Sequence, residues 1–348
     1  MEDNIEILRQ PLVIDLFPAF NEFKLAEFRI SYLNSRVQHT IIGESRLTYS
    51  GIPKKLLFQE SYYENYPTKN LTILEIPLEE NMTKYEREET TRRTLVNYAL
   101  RHFPNSIYII SDLDEIPSHE QIELMYTQKG SFHFVAPTFY RKLNWALQDW
   151  HKDWSYPVIT NDKNFSFPYG GRFANLPILN CETQGAHLSY LGFNGDLLST
   201  KYSSFTHTEL KLDYVSEEEI IKFSNRFVID HIGRVRNKGF GILKIQNYSE
   251  LNHIQNALYS RFPDYSSFES CEFNFFSRLF ASSALTLVNR NIKYSNIIYR
   301  SIVLKNKISH INFFAVRIFI LHEILIALAY NLCRPFVHFF KSILQFKV

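Results

Sequence analysis

The amino-acid sequence predicts an α/β protein whose sheet is mostly parallel. Short apolar segments alternate along the chain with longer segments whose apolar residues recur at the period of a helix. Strands that alternate with helices form βαβ units, which place successive strands side by side in parallel. A chain of 348 residues, 45% of them hydrophobic, is also long and apolar enough to bury a full core.

The predicted elements follow one another in a regular order. Five short apolar segments are predicted strands: 11–20, 39–45, 71–77, 106–111 and 131–137. Residues 22–33 have apolar side chains at roughly helical spacing, and residues 84–103 form a second predicted helix with a charged outer face. Pro117 and Ser118 begin a third predicted helix, which runs to about Tyr126.

An acidic cluster lies directly after the predicted strand 106–111. Its sequence is Ser111-Asp112-Leu113-Asp114-Glu115, and carboxylates so close together repel one another. In open α/β sheets, ligands bind beyond the carboxyl ends of the strands, where this cluster lies. Mg²⁺ and Mn²⁺ bind to one or two carboxylates together with substrate phosphates. The cluster therefore predicts a divalent cation at Asp112 and Asp114, which offsets their repulsion.

Three other interpretations of this cluster stay open on the residues alone. Acidic side chains favour a helix N-terminus, so Asp112 and Asp114 are alternatively caps of the helix after Pro117. Phosphohydrolases of the haloacid dehalogenase type also have Asp-x-Asp after an apolar strand. In that class the motif lies near the start of the domain and is followed by Thr or Val at the position of Ile116. The third alternative is a catalytically silent domain that binds a sugar or nucleotide.

Five stretches, in this order, resemble glycosyltransferase family 17, the family of the bisecting β-1,4-N-acetylglucosaminyltransferases and many bacterial relatives. They are DLFPAFNEFKLAEFRISYL (15–33), IIGESRLTYSGIPKKLLF (41–58), EETTRRTLVNYAL (88–100), IISDLDEIPS (109–118) and GAHLSYLGFNGDLLSTKYSSFTHTE (185–209). Together they span about residues 12–235, and we expect a bacterial member. The chain departs from the family pattern at Ala186, where the family has Trp, and within 230–241, which leaves the acceptor open.

The resemblance implies a GT-A-like, Rossmann-type fold with a nucleotide-sugar half and an acceptor half. Residues 1–265 are expected to be the catalytic domain, and residues 266–348 a C-terminal helical extension. The implied reaction is an inverting transfer of N-acetylglucosamine or a similar hexose. The donor is expected to be a UDP-linked nucleotide sugar, the acceptor a hydroxyl of a glycan or glycolipid, and the cofactor Mn²⁺ or Mg²⁺.

The resemblance also implies roles for individual residues. Asp112, Asp114 and His207 are the expected metal ligands. The residues expected to contact the nucleotide sugar follow the first strands or lie near the acidic cluster: Asn21, Glu22, Glu44, Arg93, Asp112, Glu115 and His187.

Ordinary structural roles remain as alternatives for several of these residues. Asn21 and Glu22 precede a predicted helix and are alternatively its caps. Arg93 alternatively forms an ion pair with Glu89, one helical turn earlier.

Ordinary structural roles also remain as alternatives for other residues of this set. Glu115 alternatively favours the helix that follows it, and His187 is alternatively a structural histidine.

An inverting transfer needs one general base near the acceptor hydroxyl. Glu209 is the first choice, because it shares one face with His207 if that segment is extended. Asp196, Asp153 and Asp149 are the other candidates, and geometry has to decide among them.

Four aromatic residues within 139–154 are candidates for a wall that stacks on the acceptor sugar: Tyr140, Trp145, Trp150 and Trp154. Core packing is the alternative, and at least two of the four are expected to be core.

Composition excludes several classes of function. A net charge of +2 gives no field that would attract nucleic acid. The three cysteines are odd in number and include no CxxC pair, which predicts a reducing compartment without a zinc site or disulfide framework. No basic start is followed by a long apolar run, so no signal peptide is predicted.

Residues 311–348 are apolar and basic at once. Arg317, Glu323 and Arg334 interrupt the apolar run, which argues against a membrane-spanning helix. Such a segment is typical of an interfacial helix on anionic lipid, and a helical pair packed on the catalytic domain is the alternative. We expect a cytoplasmic protein, peripheral on the inner face of the membrane, whose acceptor is carried on lipid, such as a growing lipopolysaccharide.

Overall fold

Strands and helices alternate over the first part of the chain, as the sequence predicts. In a computed structural model this part comprises β1 (Val13–Pro18), α1 (Phe23–Leu33), β2 (His39–Glu44), a π-helical turn (Phe58–Tyr62), β3 (Leu71–Glu75), α2 (Lys84–His102), β4 (Ile107–Ile110), β5 (Glu115–Ile116), α3 (His119–Leu124) and β6 (Ser131–Phe134). All five predicted strands and all three predicted helices are present.

The second part contains mainly short strands. They are β7 (Ala136–Tyr140), β8 (Trp145–Leu147), β9 (Asp153–Trp154), β10 (Val158–Thr160), β11 (Ile178–Leu179), β12 (Ala186–Ser189) and β13 (Leu243–Ile245). The helices are α4 (Glu217–Phe227) and α5 (His253–Arg261), with 3₁₀ turns at Tyr248–Glu250 and Pro263–Tyr265.

The structure describes residues 10–62, 70–147, 153–166, 175–192, 200, 203–204, 217–230, 242–268, 278 and 281–282. The basic segment 311–348 and nearly all of the predicted extension 266–348 lie outside these residues. Within the described part, no helix has the length and apolar character needed to cross a bilayer.

A seven-stranded sheet forms the centre of the described structure, in the order β11-β6-β10-β4-β1-β2-β3. The neighbours from β3 to β4 are all parallel. The exception is β10, which is antiparallel to both β4 and β6, whereas β11 is parallel to β6. The prediction of a mostly parallel sheet is therefore confirmed.

The strand order reverses at β1, which creates a crevice at the carboxyl ends of the strands. From β1 the chain moves outward through β2 and β3, and then returns to the other side of β1 as β4. Connections from β1 and β4 therefore leave in opposite directions, and ligands of α/β proteins bind at such a switch point. Ser111, the first residue after β4, still donates its N–H to the carbonyl of Leu16 at 3.3 Å. The acidic cluster thus begins at this crevice.

A second sheet starts directly from the acidic cluster. Its order is β13-β8-β7-β12-β5, with β9 paired to β7. β5 begins at Glu115, so the segment 111–115 connects the two sheets. β12 pairs with β5 so that His187 lies opposite Glu115. This pairing brings a residue from far along the chain to the acidic cluster.

β4 is buried on both faces of the main sheet. Ile107 and Ile109 belong to a cluster that includes residues of the second sheet, α1 and α5. Tyr108 and Ile110 point the other way and pack with Leu95 of α2. Polar side chains can therefore reach solvent only beyond the end of β4.

The helix that follows the acidic cluster has its own cap. Ser118 accepts a hydrogen bond from the N–H of Gln121 at 3.1 Å, and the side chain of Gln121 accepts one from the N–H of Ser118 at 2.9 Å. This reciprocal arrangement is a capping box. The interpretation of Asp112 and Asp114 as caps of this helix is therefore wrong.

Candidate functional site

One buried arginine holds the backbone of residues 111–115, the acidic loop. Arg29 of α1 pairs with Asp15 of β1 through Nε–Oδ2 and Nη2–Oδ1 distances of 2.9 and 2.6 Å. Its Nη2 also donates to the hydroxyl of Ser111 at 2.8 Å. Its Nη1 donates to three main-chain carbonyls of the loop: Asp112 at 2.7 Å, Leu113 at 3.2 Å and Glu115 at 2.9 Å. The conformation of the loop thus depends on a residue about eighty positions earlier.

The acidic loop presents alternate side chains to the crevice. The side chains of Asp112 and Asp114 are 25% and 19% exposed, whereas Leu113 is buried in the core. Because Arg29 is bonded to the main chain of the loop, it fixes the loop without contacting either of these carboxylates. Two neighbouring carboxylates are therefore partly exposed at the end of β4.

Arg92 of α2 contacts the first of these carboxylates. Its Nη2 lies 2.7 Å from Oδ1 of Asp112, and its Nη1 lies 2.7 Å from Oε1 of Glu88, one helical turn earlier. The side chain of Arg92 is only 7% exposed. A charge-assisted pair of this length is among the stronger polar contacts in proteins. The crevice therefore contains a fixed positive charge beside the carboxylates.

Glu115, the third carboxylate, is turned into the protein and is 1% exposed. Its Oε1 accepts a hydrogen bond of 2.6 Å from Nε1 of Trp154, and its Oε2 accepts one of 2.7 Å from the N–H of Asp112. Burial, together with the nearby charge of Asp114, raises the pKa of Glu115 to about 8, although Trp154 and two arginines act in the opposite direction. Burial therefore favours the neutral form of Glu115, and a neutral carboxyl removes part of the repulsion within the loop.

His187 lies against the second exposed carboxylate. Its Nε2 is 3.8 Å from Oδ2 of Asp114, and its Nδ1 is 3.2 Å from Oγ1 of Thr138 on the neighbouring strand. The indole of Trp154 covers the imidazole with a centroid separation of 4.7 Å. The structure therefore brings His187, Asp112, Asp114 and Glu115 together, as the sequence predicts.

A small cleft opens beside the acidic loop. It encloses about 200 Å³, including open solvent, between Arg92, residues 110–112, Glu115 and residues 156–158. Its wall thus combines a cation, carboxyl groups and the ring of Tyr156. A cleft of this size is smaller than sites that enclose a whole drug-sized ligand, so its polar lining suits at most a small charged group.

Glu44 lies at the end of β2 and its carboxylate is engaged with the protein. It accepts hydrogen bonds from the N–H groups of Phe58 and Gln59 at 3.0–3.1 Å, and Nζ of Lys54 lies 3.3 Å away. Burial lowers the pKa of Lys54 despite this partner. These contacts fix the π-helical turn, and contact between Glu44 and a nucleotide sugar stays a prediction.

Asn21 and Glu22 follow β1 at the same edge of the sheet as the acidic loop. Oε2 of Glu22 accepts from the N–H of Asn21 at 3.2 Å and of Phe20 at 3.4 Å, so this side chain does not cap α1. Both residues are half-buried, and their role in nucleotide-sugar binding stays a prediction.

Arg93 lies on the outer face of α2 and forms an ion pair with Glu89. This is the alternative that the sequence offered for it. The neighbouring Arg92 points to the acidic loop instead, because it shares the buried face of α2 with Leu95 and Val96. One residue along a helix rotates a side chain by about 100°, so the helical phase decides which arginine reaches Asp112.

Several predicted residues lie outside the described part of the chain: Glu209, Asp196, His207, Asp149 and Trp150. Asp153 lies in β9, but its side chain is not among those described. Tyr140 and Trp145 are buried, which confirms that at least two of the four aromatic residues are core.

Asp112 and Asp114 provide two carboxylates for a divalent cation. No group of three His, Cys, Asp or Glu side chains that would form a complete metal site occurs among the described residues. Magnesium-type sites often use only one or two carboxylates, because substrate phosphates complete the coordination. The two side chains present therefore fit a cation that binds together with a phosphorylated ligand.

Sequence interpretation missed the roles of Arg29, Arg92 and Trp154. A signal existed for the first, since Asp15 interrupts an apolar strand and Arg29 lies on the apolar side of a helix. Buried charges of opposite sign are expected to pair. Trp154 gives no such signal, because its contact with Glu115 crosses 39 residues.

The family model of glycosyltransferase family 17 matches residues 7–149, less than half of the chain. No curated protein matches the sequence. The matched segment contains Arg29, Arg92 and the acidic loop, whereas Trp154 and His187 lie beyond it. The resemblance is thus confirmed over residues 7–149, which form a glycosyltransferase family 17 segment, and the protein is a glycosyltransferase that acts on a sugar donor and an acceptor.

Proposed function

We propose that this enzyme transfers a hexose, N-acetylglucosamine or a similar sugar, from a UDP-linked donor to a hydroxyl of a glycan or glycolipid. The observation that carries this proposal is the exposure of Asp112 and Asp114 at the switch point of the sheet, on a loop that Arg29 fixes from inside. We further propose a GT-A-like fold, with the catalytic domain in residues 1–265 and a helical extension in residues 266–348.

Asp112 and Asp114 would hold Mn²⁺ or Mg²⁺, with His207 as a further ligand. When bound, the cation supplies positive charge that stabilises the leaving diphosphate. Arg92 adds a second positive charge at the same place, and its planar guanidinium suits phosphate oxygens. The chain itself thus provides two complementary means of binding a diphosphate.

Inversion at the sugar requires one in-line displacement and one base at the acceptor hydroxyl. Glu209, Asp196 and Asp153 are the residues proposed for the base. Asn21, Glu22, Glu44 and Glu115 remain proposed contacts of the donor, as does His187 beside Asp114.

We also propose a cytoplasmic location and contact with the inner membrane surface. The support is the composition of residues 311–348, which combine apolar side chains with basic ones. An acceptor carried on lipid, such as a growing lipopolysaccharide, would suit an enzyme at that surface.

Calorimetric titration of UDP, with and without Mn²⁺, tests the proposal. The wild type is expected to bind UDP only with Mn²⁺, and Asp114→Ala is expected to lose binding while it stays folded. Asp264→Ala, an exposed substitution of the same type in a 3₁₀ turn, serves as the control and is expected to bind normally.

Two results would contradict the proposal. The first is UDP binding that needs neither Mn²⁺ nor Asp114. The second is absence of UDP binding combined with release of phosphate from a phosphomonoester, which would favour the phosphohydrolase.

A further inference from the structure

The guanidinium of Arg92 contacts two carboxylates at the crevice. Nη2 is 2.7 Å from Oδ1 of Asp112, and Nη1 is 2.7 Å from Oε1 of Glu88. The side chain is 7% exposed and forms part of the wall of the cleft beside the acidic loop. Arg92 is therefore a nearly buried positive charge in direct contact with a proposed cation ligand.

A guanidinium and a divalent cation that share one carboxylate repel each other. Asp112 provides much of the local negative charge, and Arg92 neutralises it at short range. At the reduced effective dielectric of a partly buried site, charges a few ångströms apart interact more strongly than they do in water. The free cation is thus expected to bind poorly while Arg92 lies against Asp112.

A bound diphosphate reverses the effect of Arg92 on the affinity for the cation. Its negative charge attracts the cation and Arg92 together, so each stabilises the anion without competing for Asp112 alone. Glu88 sits one helical turn before Arg92 and pairs with Nη1, so it keeps the guanidinium at the crevice when Nη2 turns to another partner. The arginine can therefore exchange Asp112 for phosphate oxygens while Glu88 still holds Nη1.

We propose that Arg92 couples the binding of the two ligands: it disfavours the divalent cation alone and favours the cation together with a nucleoside diphosphate. This inference rests on the proposed function and adds a thermodynamic role for one residue. Coupling of this kind is reciprocal, so the cation raises diphosphate affinity by the same factor as the diphosphate raises cation affinity.

Three calorimetric titrations of the full-length protein test the inference: Mn²⁺ alone, UDP alone, and UDP with saturating Mn²⁺. The variant Arg92→Met keeps the length and apolar stem of the side chain and removes its charge. We expect Arg92→Met to bind Mn²⁺ alone more tightly than the wild type, by about fivefold or more, and to bind UDP with Mn²⁺ more weakly by a similar factor.

Two matched variants separate the effect of the charge of Arg92 from a structural effect of the substitution. Arg101→Met changes an exposed arginine in the last turn of the same helix, and is expected to match the wild type in every titration. Arg92→Lys keeps the positive charge, so it is expected to retain weak binding of Mn²⁺ alone. If Arg92→Met is unfolded by circular dichroism, Arg92→Gln replaces it and carries the same expectations.

Opposite changes in the two affinities support the inference. Equal affinity of wild type and Arg92→Met for Mn²⁺ alone overturns it, as does a loss of Mn²⁺ binding in the variant. If UDP fails to bind the wild type, the proposed donor is wrong, and tighter binding of Mn²⁺ by Arg92→Met still supports competition between Arg92 and the cation. Failure of the proposed donor can thus be distinguished from failure of the competition between Arg92 and the cation.

Discussion

Nε1 of Trp154 donates a hydrogen bond of 2.6 Å to Oε1 of Glu115, and this contact joins a strand of the second sheet to the acidic loop. The carboxyl of Glu115 is buried. The indole also packs against the ring of His187, with the two rings tilted by 32°. Trp154 therefore supports two groups that adjoin the exposed aspartates.

Replacement of Trp154 by phenylalanine is expected to lower the free energy of unfolding by about 1–3 kcal/mol, because it leaves a buried oxygen without its donor. Urea unfolding at neutral pH measures this. Trp145→Phe is the control: its indole donates over a longer 3.4 Å to the carbonyl of Ser267, and it does not contact a carboxyl group. An unchanged free energy of unfolding in Trp154→Phe would contradict the role of the hydrogen bond.

Replacement of Arg29 by methionine is expected to destabilise the protein by about 3–5 kcal/mol, because it leaves the buried Asp15 without its ionic partner. Three loop carbonyls lose their donor as well. Chemical denaturation gives the magnitude. Arg36→Met, which removes an exposed pair with Glu123, is expected to cost at most about 1 kcal/mol. Similar costs for the two substitutions would mean that the network around Arg29 adds little.

A histidine pair at the edge of the core predicts a loss of stability in acid. Burial lowers the pKa of His253, and the neighbouring His119 lowers it further. Both rings flank Tyr32 of α1. Because the folded-state pKa lies below the usual value, the unfolded chain takes up the proton first as the pH falls.

The free energy of unfolding is therefore expected to fall as the pH drops below about 6.5, and less steeply in His253→Gln than in the wild type. Denaturant midpoints across this range provide the measurement. Burial also lowers the pKa of His39, but that contribution is common to both proteins and cancels in the comparison. Parallel pH profiles would show that His253 does not contribute.

Five strands of the main sheet could be predicted from the sequence because they are apolar and alternate with helices of clear period, whereas β10 and β11 were not predicted. The position of Asp112 and Asp114 followed from the same pattern, since a polar cluster directly after a buried strand must lie at the sheet edge. The inward turn of Glu115 could not be predicted, because it depends on Trp154 and on the main chain of the loop.

The choice between Arg92 and Arg93 shows a second limit of sequence interpretation. Both residues carry the same charge at neighbouring positions, and only the phase of α2 against the sheet distinguishes them. That phase is set by the packing of Leu95 and Val96, so it depends on the whole core. The strands β5, β8 and β13 of the second sheet and β10 and β11 of the main sheet were missed for a related reason, because two or three residues are too few to carry a period.

The antiparallel strand β10 has a consequence for fragments of this protein. It covers the side of β4 that does not face β1, yet it lies beyond the segment that matches the family. A fragment that ended at residue 149 would leave the apolar strand β4 at an open sheet edge, with N–H and C=O groups unpaired. Exposed apolar edges pair with one another and aggregate. The boundary of sequence similarity is thus not a boundary at which the chain can be cut and still fold.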